Sequence, residues 1–458
     1  MMKKLLSSII LFTLCVPAFA QQAQSGFNLS NFTFVAPAEI SIGRDDNFLV
    51  DRATLDQKLL VTSLPASVLP AAPNIWPQPL SDTVYLLKAP RLAFISDSAR
   101  RQFDVSYQPE IELFQFNRDQ NSWNNNAELT YTEFLSRRWV ASFGDAYRTS
   151  KDPSRTLQNP LLLLPRSQYR ENALRGNISF EQSQRTTYTF RYDNDVMTFG
   201  EYDPLQRSIL DTRMSGASLI YSRMLSRNHR LRLTYSAFSA SPLNQQKSGE
   251  DHVATQFVAF KQPAHGITAE YRFSMNPKTV FEFSGGGIHT SNGNAATFSL
   301  FGDRKVGELW IGGGYSRGLT FLSYTAGNLP SGLGGASFYD VMTFRLRGQP
   351  TQKIGVQFNV STASNTYGTV VNGNTSLMGR SRVDYRLGDH VVAFVNAELY
   401  NQNRNDFVQT PISRRRLFIG FEYSFASESE QRTSRLNRDA DNIALTEHAR
   451  LRKKADQE

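Results

Sequence analysis

Arg414-Arg415-Arg416-Leu417-Phe418-Ile419-Gly420-Phe421-Glu422-Tyr423-Ser424-Phe425 is the stretch that decides how the rest of the chain reads. Leu417, Ile419, Phe421, Tyr423 and Phe425 alternate with Phe418, Gly420, Glu422 and Ser424. A period of two is that of a β-strand, whose successive side chains point to opposite faces. One face is wholly apolar and ends in three aromatics, while the other carries Gly, Glu and Ser. In a water-soluble sandwich such a strand turns its apolar face to a core. In a transmembrane barrel it turns that face to lipid and its polar face to a lumen. Periodicity does not separate the two. The membrane reading requires an export signal, no helical span, and many similar strands upstream.

The chain supplies all three. Lys3 and Lys4, the apolar run Leu5 to Val16 and the small-x-small triplet Ala18-Phe19-Ala20 make residues 1–20 a secretory signal, cleaved before Gln21. Cys15 is the only cysteine and lies inside it, and Phe12-Thr13-Leu14 do not form a lipoprotein box. The mature chain therefore has no thiol, which excludes disulfides, cysteine metal sites and a cysteine nucleophile. Beyond the signal no apolar run approaches the ~20 residues a membrane helix needs. The longest, Leu161-Leu162-Leu163-Leu164, is set between Pro160 and Pro165. Aromatics are abundant (Phe 32, Tyr 18) in a chain of mean hydropathy −0.40, as expected when one face of each strand is wetted. The formal charge of +9 falls by two when Lys3 and Lys4 leave. That mild excess, spread along the strands of an exported chain, argues against nucleic acid as a partner.

Candidate strands run over 102–116, 125–135, 138–149, 172–182, 185–195, 212–224, 229–239, 265–275, 279–290, 295–302, 307–317, 338–347, 352–363, 376–387, 390–400 and 414–425. Most have the ten or so residues a tilted strand needs to cross a bilayer. Seven connections are tight: near Ser136-Arg137, Ser183-Gln184, Ser226-Arg227-Asn228, Asn276-Pro277-Lys278, Asp303-Arg304-Lys305, Gln349-Pro350-Thr351 and Gly388-Asp389. Between them lie mostly longer polar or Gly/Pro-rich stretches. Short turns alternating with long loops are the asymmetry of a transmembrane barrel. Residues 252–262 resemble a further strand, but counting it breaks the alternation, so they are placed in a long outer loop. The expected fold is all-β: a transmembrane antiparallel up-and-down β-barrel of about 16 strands (range 14–18) over 101–425, with both termini periplasmic. Residues 21–100, where Pro65, Pro70, Pro73, Pro77 and Pro79 crowd together, read as a Pro-rich periplasmic extension. Residues 426–458 read as a polar C-terminal tail.

With the apolar alternates outward, the inward positions include Arg191, Arg230, Arg232, Arg272, Arg345, Arg347, Arg380, Arg382, Arg386 and Arg416. The acidic inward residues Glu270, Asp384, Glu398 and Glu422, with Glu181 and Glu282, are fewer. Charges on the lipid face are costly, so these groups are expected to line a lumen. Such a lining is compatible with an anion-preferring passage and with a closed interior of paired charges. Leu161–Leu164, in the loop 152–170, read either as a constriction folded against the barrel wall or as the core of that loop.

The aromatic finish Phe421, Tyr423 and Phe425 resembles the C-terminal signal by which outer-membrane barrels are recognised by the barrel-assembly machinery, though here a charged tail follows. The signal peptide, the Pro-rich lead-in, Tyr107-Gln108-Pro109 opening the first strand and the barrel pattern over about 101–425 together make the chain similar to outer-membrane barrels of the porin type. Among these it looks most like those associated with exopolysaccharide or exosortase systems. The resemblance implies a pore or export role for polar solutes or polysaccharide, with a periplasmic partner and outer-membrane lipids around it.

One segment carries catalytic chemistry as an alternative. His289-Thr290-Ser291-Asn292-Gly293 resembles the active-site segment of outer-membrane phospholipase A and, more loosely, that of lipid A deacylases. His289 and Ser291 share the lipid-facing side of their strand, so an imidazole beside a hydroxyl could serve an outer-leaflet acyl hydrolase. In that family an Asn on the next strand orients the His. Asn294 follows too closely to be expected there, and 295–302 offers no substitute. Elsewhere no metal-ligand spacing, nucleotide loop or cofactor motif is found. Three functions therefore stay open: a channel, the acyl hydrolase, and a closed barrel anchoring a periplasmic assembly through 21–100 and 426–458.

Overall fold

A computed structural model describes residues 32–46, 81–98, 100–152, 166, 168–199, 211–243, 262–290, 293–320, 337–367, 375–403 and 412–425. The signal segment, the proline cluster, 252–261, Leu161–Leu164, Ser291 and the tail after Phe425 lie outside these residues. The described elements are β1 (Phe32–Ala36), β2 (Ala38–Asp45), β3 (Asp82–Lys88), β4 (Arg91–Asp97), β5 (Arg101–Phe114), β6 (Ser122–Phe134), β7 (Trp139–Ser150), β8 (Tyr169–Ser183), β9 (Thr186–Phe199) and β10 (Thr212–Ser226). They continue as β11 (His229–Pro242), β12 (Gln262–Asn276), β13 (Thr279–Thr290), β14 (Gly293–Val306), β15 (Leu309–Thr320), β16 (Ser337–Gly348), β17 (Ile354–Tyr367), β18 (Thr375–Arg386), β19 (Val391–Asn403) and β20 (Ile412–Tyr423). From β5 onward each strand pairs antiparallel with the next in sequence. These elements follow the expected strands one for one from residue 101. One turn moves: β14 runs to Val306, and the connection to β15 is Gly307-Glu308, with Gly307 at φ 60°.

The ring closes through the N-terminal stretch. β20 pairs β2, with Tyr423 opposite Ala38 and Arg416 opposite Asp45. β2 pairs β3, and β3 pairs β5. β3 and β4 lie end to end along β5, Lys88 opposite Glu110 and Leu92 opposite Tyr107, so the wall strand gains one residue around Ala89-Pro90. That is a β-bulge at a residue with no N–H to give. β1 and β2 likewise flank Pro37 and run along β4 and β3. With each broken pair taken as one, the 20-stranded sheet is a closed up-and-down barrel of 18 wall strands. Closure leaves no open sheet edge, the condition for a sheet to stand in hydrocarbon.

Two expectations are corrected here. Residues 32–45 and 82–97 are wall strands rather than a periplasmic arm, so the barrel does not begin at 101. Tyr107-Gln108-Pro109 sit inside the third wall strand rather than opening the first.

Side chains that reach past a neighbouring strand identify the concave face. Phe418 of β20 packs with Val84 of β3 and Phe114 of β5, across β2. It does so because β2 places Gly43 beneath it; a Cβ there would lie 2.3 Å from the Phe418 ring. Arg382 of β18 reaches Glu422 of β20 and Glu39 of β2. Arg345 of β16 reaches Asp303 of β14 over Gly312, where a Cβ would lie 1.7 Å from the carboxylate. The opposite face carries the large apolar residues: Ile42, Leu219, Ile267, Phe344, Leu417, Ile419 and Phe421 are all exposed there. An apolar outside and a charged inside is the arrangement of a barrel solvated by lipid.

Candidate functional site: the charged lumen

The concave face is built by strand parity. On β20 and the two residues after it, Arg414, Arg416, Phe418, Gly420, Glu422 and Ser424 are buried, while Arg415, Leu417, Ile419, Phe421, Tyr423 and Phe425 are exposed. The same parity, carried by the cross-strand register, places Arg191, Arg230, Arg232, Arg272, Arg345, Arg347, Arg380, Arg382, Arg386, Glu270, Asp384 and Glu398 on the inner face with Arg416 and Glu422. These residues meet in local groups. Arg230 and Arg232 share Glu270 at 3.4 and 3.3 Å. Arg382 contacts Asp384 at 2.7 Å and stacks over Phe394, 4.2 Å from its centroid. Arg380 and Arg416 flank Glu398.

The expected excess of inward arginine is corrected. Glu39, Asp45, Asp82, Glu112, Glu128, Glu171, Asp193, Asp195 and Asp303 also face inward. Arg91 pairs with Glu128, Arg148 with Glu128 and Glu171, and Arg191 with Asp193. Positive and negative groups are therefore interspersed around the wall, and most of the inward arginines sit within reach of a carboxylate on their own or a nearby strand.

One group was not singled out from the sequence. Asp45 (β2), Glu112 (β5), Arg414 and Arg416 (β20) meet Asp152 and Arg166 from the β7–β8 connection. All six side chains are at most 4% exposed. Arg414 Nη2 donates to Asp45 Oδ2 and Asp152 Oδ2, each at 2.7 Å. Arg416 lies 3.1 Å from Asp45 and donates to Glu112 at 3.4 Å and Glu398 at 3.3 Å. Arg166 Nη2 donates to Glu112 Oε2 at 2.7 Å and to the Gln120 carbonyl at 3.0 Å, with its guanidinium 4.5 Å from the Phe114 centroid. Burial pushes the Asp152 carboxyl up, but the guanidiniums of Arg414, Arg416 and Arg166 outweigh it and hold it far below the usual carboxylate range. The available signal was partial. Asp152 and Arg166 lie in the loop that the leucine run drew attention to, and Arg414 opens the terminal strand. Only closure of the barrel brings positions 45, 112 and 414 together.

The cluster sits at the end of the barrel opposite the tight turns. It pins both described ends of the β7–β8 connection to the inner wall. Lys151 Nζ donates to the carbonyls of Asp119 and Asn121 at 3.0 and 2.8 Å, Asp152 meets Arg414, and Arg166 meets Glu112.

On the outer face, β14 begins at Gly293, so Asn294 is on the next strand directly opposite His289. This corrects the expectation that Asn294 follows too closely: the connection is residues 291–292 alone, with Gly293 at φ 122°. Asn294 Oδ1 lies 2.6 Å from His289 Nδ1. Among the described residues no group of three or more His, Cys, Asp or Glu side chains could hold a metal ion.

Fold and site together define a class: a closed β-barrel of the outer-membrane type with a charged lumen. No family model matches the chain, and no curated protein matches it. Among solved structures it is similar to the siderophore receptor PirA from Pseudomonas aeruginosa, at 8% identity over 86% of this chain and 81% of that one (TM-score 0.40). It is likewise similar to Pseudomonas aeruginosa OpdQ, at 8% identity over 87% and 100% (TM-score 0.42). A bacterial polysaccharide outer membrane secretin matches at 9% over 86% and 100% (TM-score 0.34). The class itself rests on this chain's own register and on the division of its side chains between two faces.

Proposed function

We propose that the barrel is an outer-membrane channel for small polar solutes, with a weak preference for anions. The observation that carries this is the lumen-side clamp. A buried six-residue ion cluster holds both ends of an outer connection against the inner wall of a charge-lined barrel. Such a clamp brings both ends of the connection over one side of the lumen. The preference is weak because carboxylates accompany most of the inward arginines. A small solute suits this lumen better than an exported polysaccharide, since side chains spanning β18 to β2 and β20 to β5 crowd the seam side. The test is single-channel conductance of the refolded mature protein in a planar bilayer, with the reversal potential read in a salt gradient. Stable openings with slight anion selectivity are expected. Electrical silence, with folding verified by heat-modifiable gel mobility, would overturn the channel in favour of a closed anchoring barrel.

The His289–Asn294 contact favours a second reading, an outer-leaflet acyl hydrolase in which Asn294 orients His289 and Ser291 is the nucleophile. It predicts release of fatty acid from mixed micelles that disappears in Ser291→Ala while heat modifiability is kept. Equal rates in wild type and variant would remove it.

A further inference from the structure

We propose that His265 and His289 form a binding site for a divalent late transition metal, Cu(II) above all, on the outer rim of the barrel. The two residues face each other directly across β12 and β13. Both side chains are exposed on the outer face. Cross-strand partners have Cβ atoms about 4.5–5.5 Å apart, close enough for two imidazoles to share one ion at about 2.0–2.1 Å per bond.

The ring orientations make the pair more than two neighbours. His265 Nδ1 is 3.1 Å from the hydroxyl of Tyr235 on β11. His289 Nδ1 is 2.6 Å from Asn294 Oδ1 on β14. Each imidazole therefore turns its Nδ1 edge away from the other, towards the strand on its far side. The opposite edge of an imidazole carries Cδ2 and Nε2, so the two Nε2 edges turn towards the space between β12 and β13. The amide oxygen of Asn294 only accepts, so His289 carries its proton on Nδ1 and leaves the Nε2 lone pair for a ligand. An outer partner holding Nδ1–H in this way is the usual support of a metal-binding histidine.

The surroundings admit water and the ion. In register, His265 is level with Ala237, one step beyond Tyr235 towards the loop end, and Ser239 and Ser241 follow on the same face of β11. The pair thus lies on the wet side of the last outward-facing aromatic on that strand. Two imidazoles with water in the remaining positions suit a tetragonal Cu(II) ion, and Cu(II) heads the affinity order for nitrogen ligands.

The experiment uses the refolded mature protein in detergent, made without a polyhistidine tag. It is titrated with CuCl2 by calorimetry and examined by electron paramagnetic resonance. One tight site per chain with hyperfine structure from two imidazole nitrogens is expected. His265→Gln and His289→Gln should each abolish the two-nitrogen spectrum, leaving the signal of the double variant, in which His229, His252, His390 and His448 supply the background. Asn294→Leu should keep the spectrum but weaken binding by about 10- to 100-fold. Heat-modifiable mobility confirms that each variant is folded. A two-nitrogen spectrum that survives in either single variant, or a wild type that titrates like the double variant, overturns the site. Neither result bears on conductance, and the Ser291→Ala assay is run with a chelator, since a metal on His289 would occupy the nitrogen that the hydrolase reading uses as base.

Discussion

Arg415 and Arg416 are adjacent in sequence and opposite in circumstance. Arg416 is buried among Asp45, Glu112 and Glu398, while Arg415 faces outward and is exposed. Removing one member of a buried ion network leaves its partners uncompensated, at a cost of about 3–5 kcal/mol, whereas an exposed substitution stays within about 0.5 kcal/mol. Arg416→Met should therefore lower the urea midpoint of the folded barrel strongly, and Arg415→Met should leave it nearly unchanged. Equal effects would mean that the cluster does not bear on stability. Which residues face inward was legible at this scale. Period-two parity placed Arg416 and Glu422 inward and Leu417 and Ile419 outward from the sequence, because a one-residue slip would drive charge into lipid. What the cluster contains was not legible. Asp45 belongs to a strand not recognised as one, and Asp152 and Arg166 belong to a loop without periodicity.

At the scale of elements, the long unbroken strands were readable and the broken ones were not. β5 to β20 each run unbroken for a dozen or more residues. Pro37 and Ala89-Pro90 divide the first two wall strands into pieces of five to eight residues, each too short to span a bilayer alone. β5 then bridges the second break by pairing with both halves. Deleting 32–45 should consequently abolish the heat-modifiable folded form on gels, since β20 and β3 would lose their shared neighbour. A dispensable arm would leave that form intact. The clamp makes a separate prediction about pH. Asp152 is held below its unfolded value of about 3.9, so its contribution is fully present above that value and is lost as pH falls from there towards the folded pKa. Single-channel conductance should stay constant from pH 7 to about 5 and change only in stronger acid. A transition near neutrality would indicate that another group controls the connection.

For the whole molecule, the tryptophans gauge where the barrel stands in the membrane. Trp123 and Trp139 lie on the outer face of neighbouring strands, 61% and 43% exposed. Phe134 pairs with Val140, so Trp139 is level with Leu135, and Trp123 lies near the opposite end of β6. At ~3.3 Å per residue and a tilt of ~40°, the two indoles are about 30 Å apart along the barrel axis. The apolar band of such a barrel is ~25 Å tall, so each indole falls at one membrane interface, where aromatic girdles sit. Trp310, by contrast, pairs with Arg347 on the inner face. Single-tryptophan variants in liposomes should divide accordingly. Trp123 and Trp139 should be quenched by lipids brominated near the headgroup, and Trp310 by iodide added to the water but not by bromolipid. This result would fix the thickness, the sidedness of the wall and the presence of water at the tight-turn mouth of the lumen in one experiment. Quenching of Trp310 by bromolipid would invert the two faces and sink the channel. Protection of Trp310 from both quenchers would show a dry interior, in which the paired charges act as struts of a closed barrel.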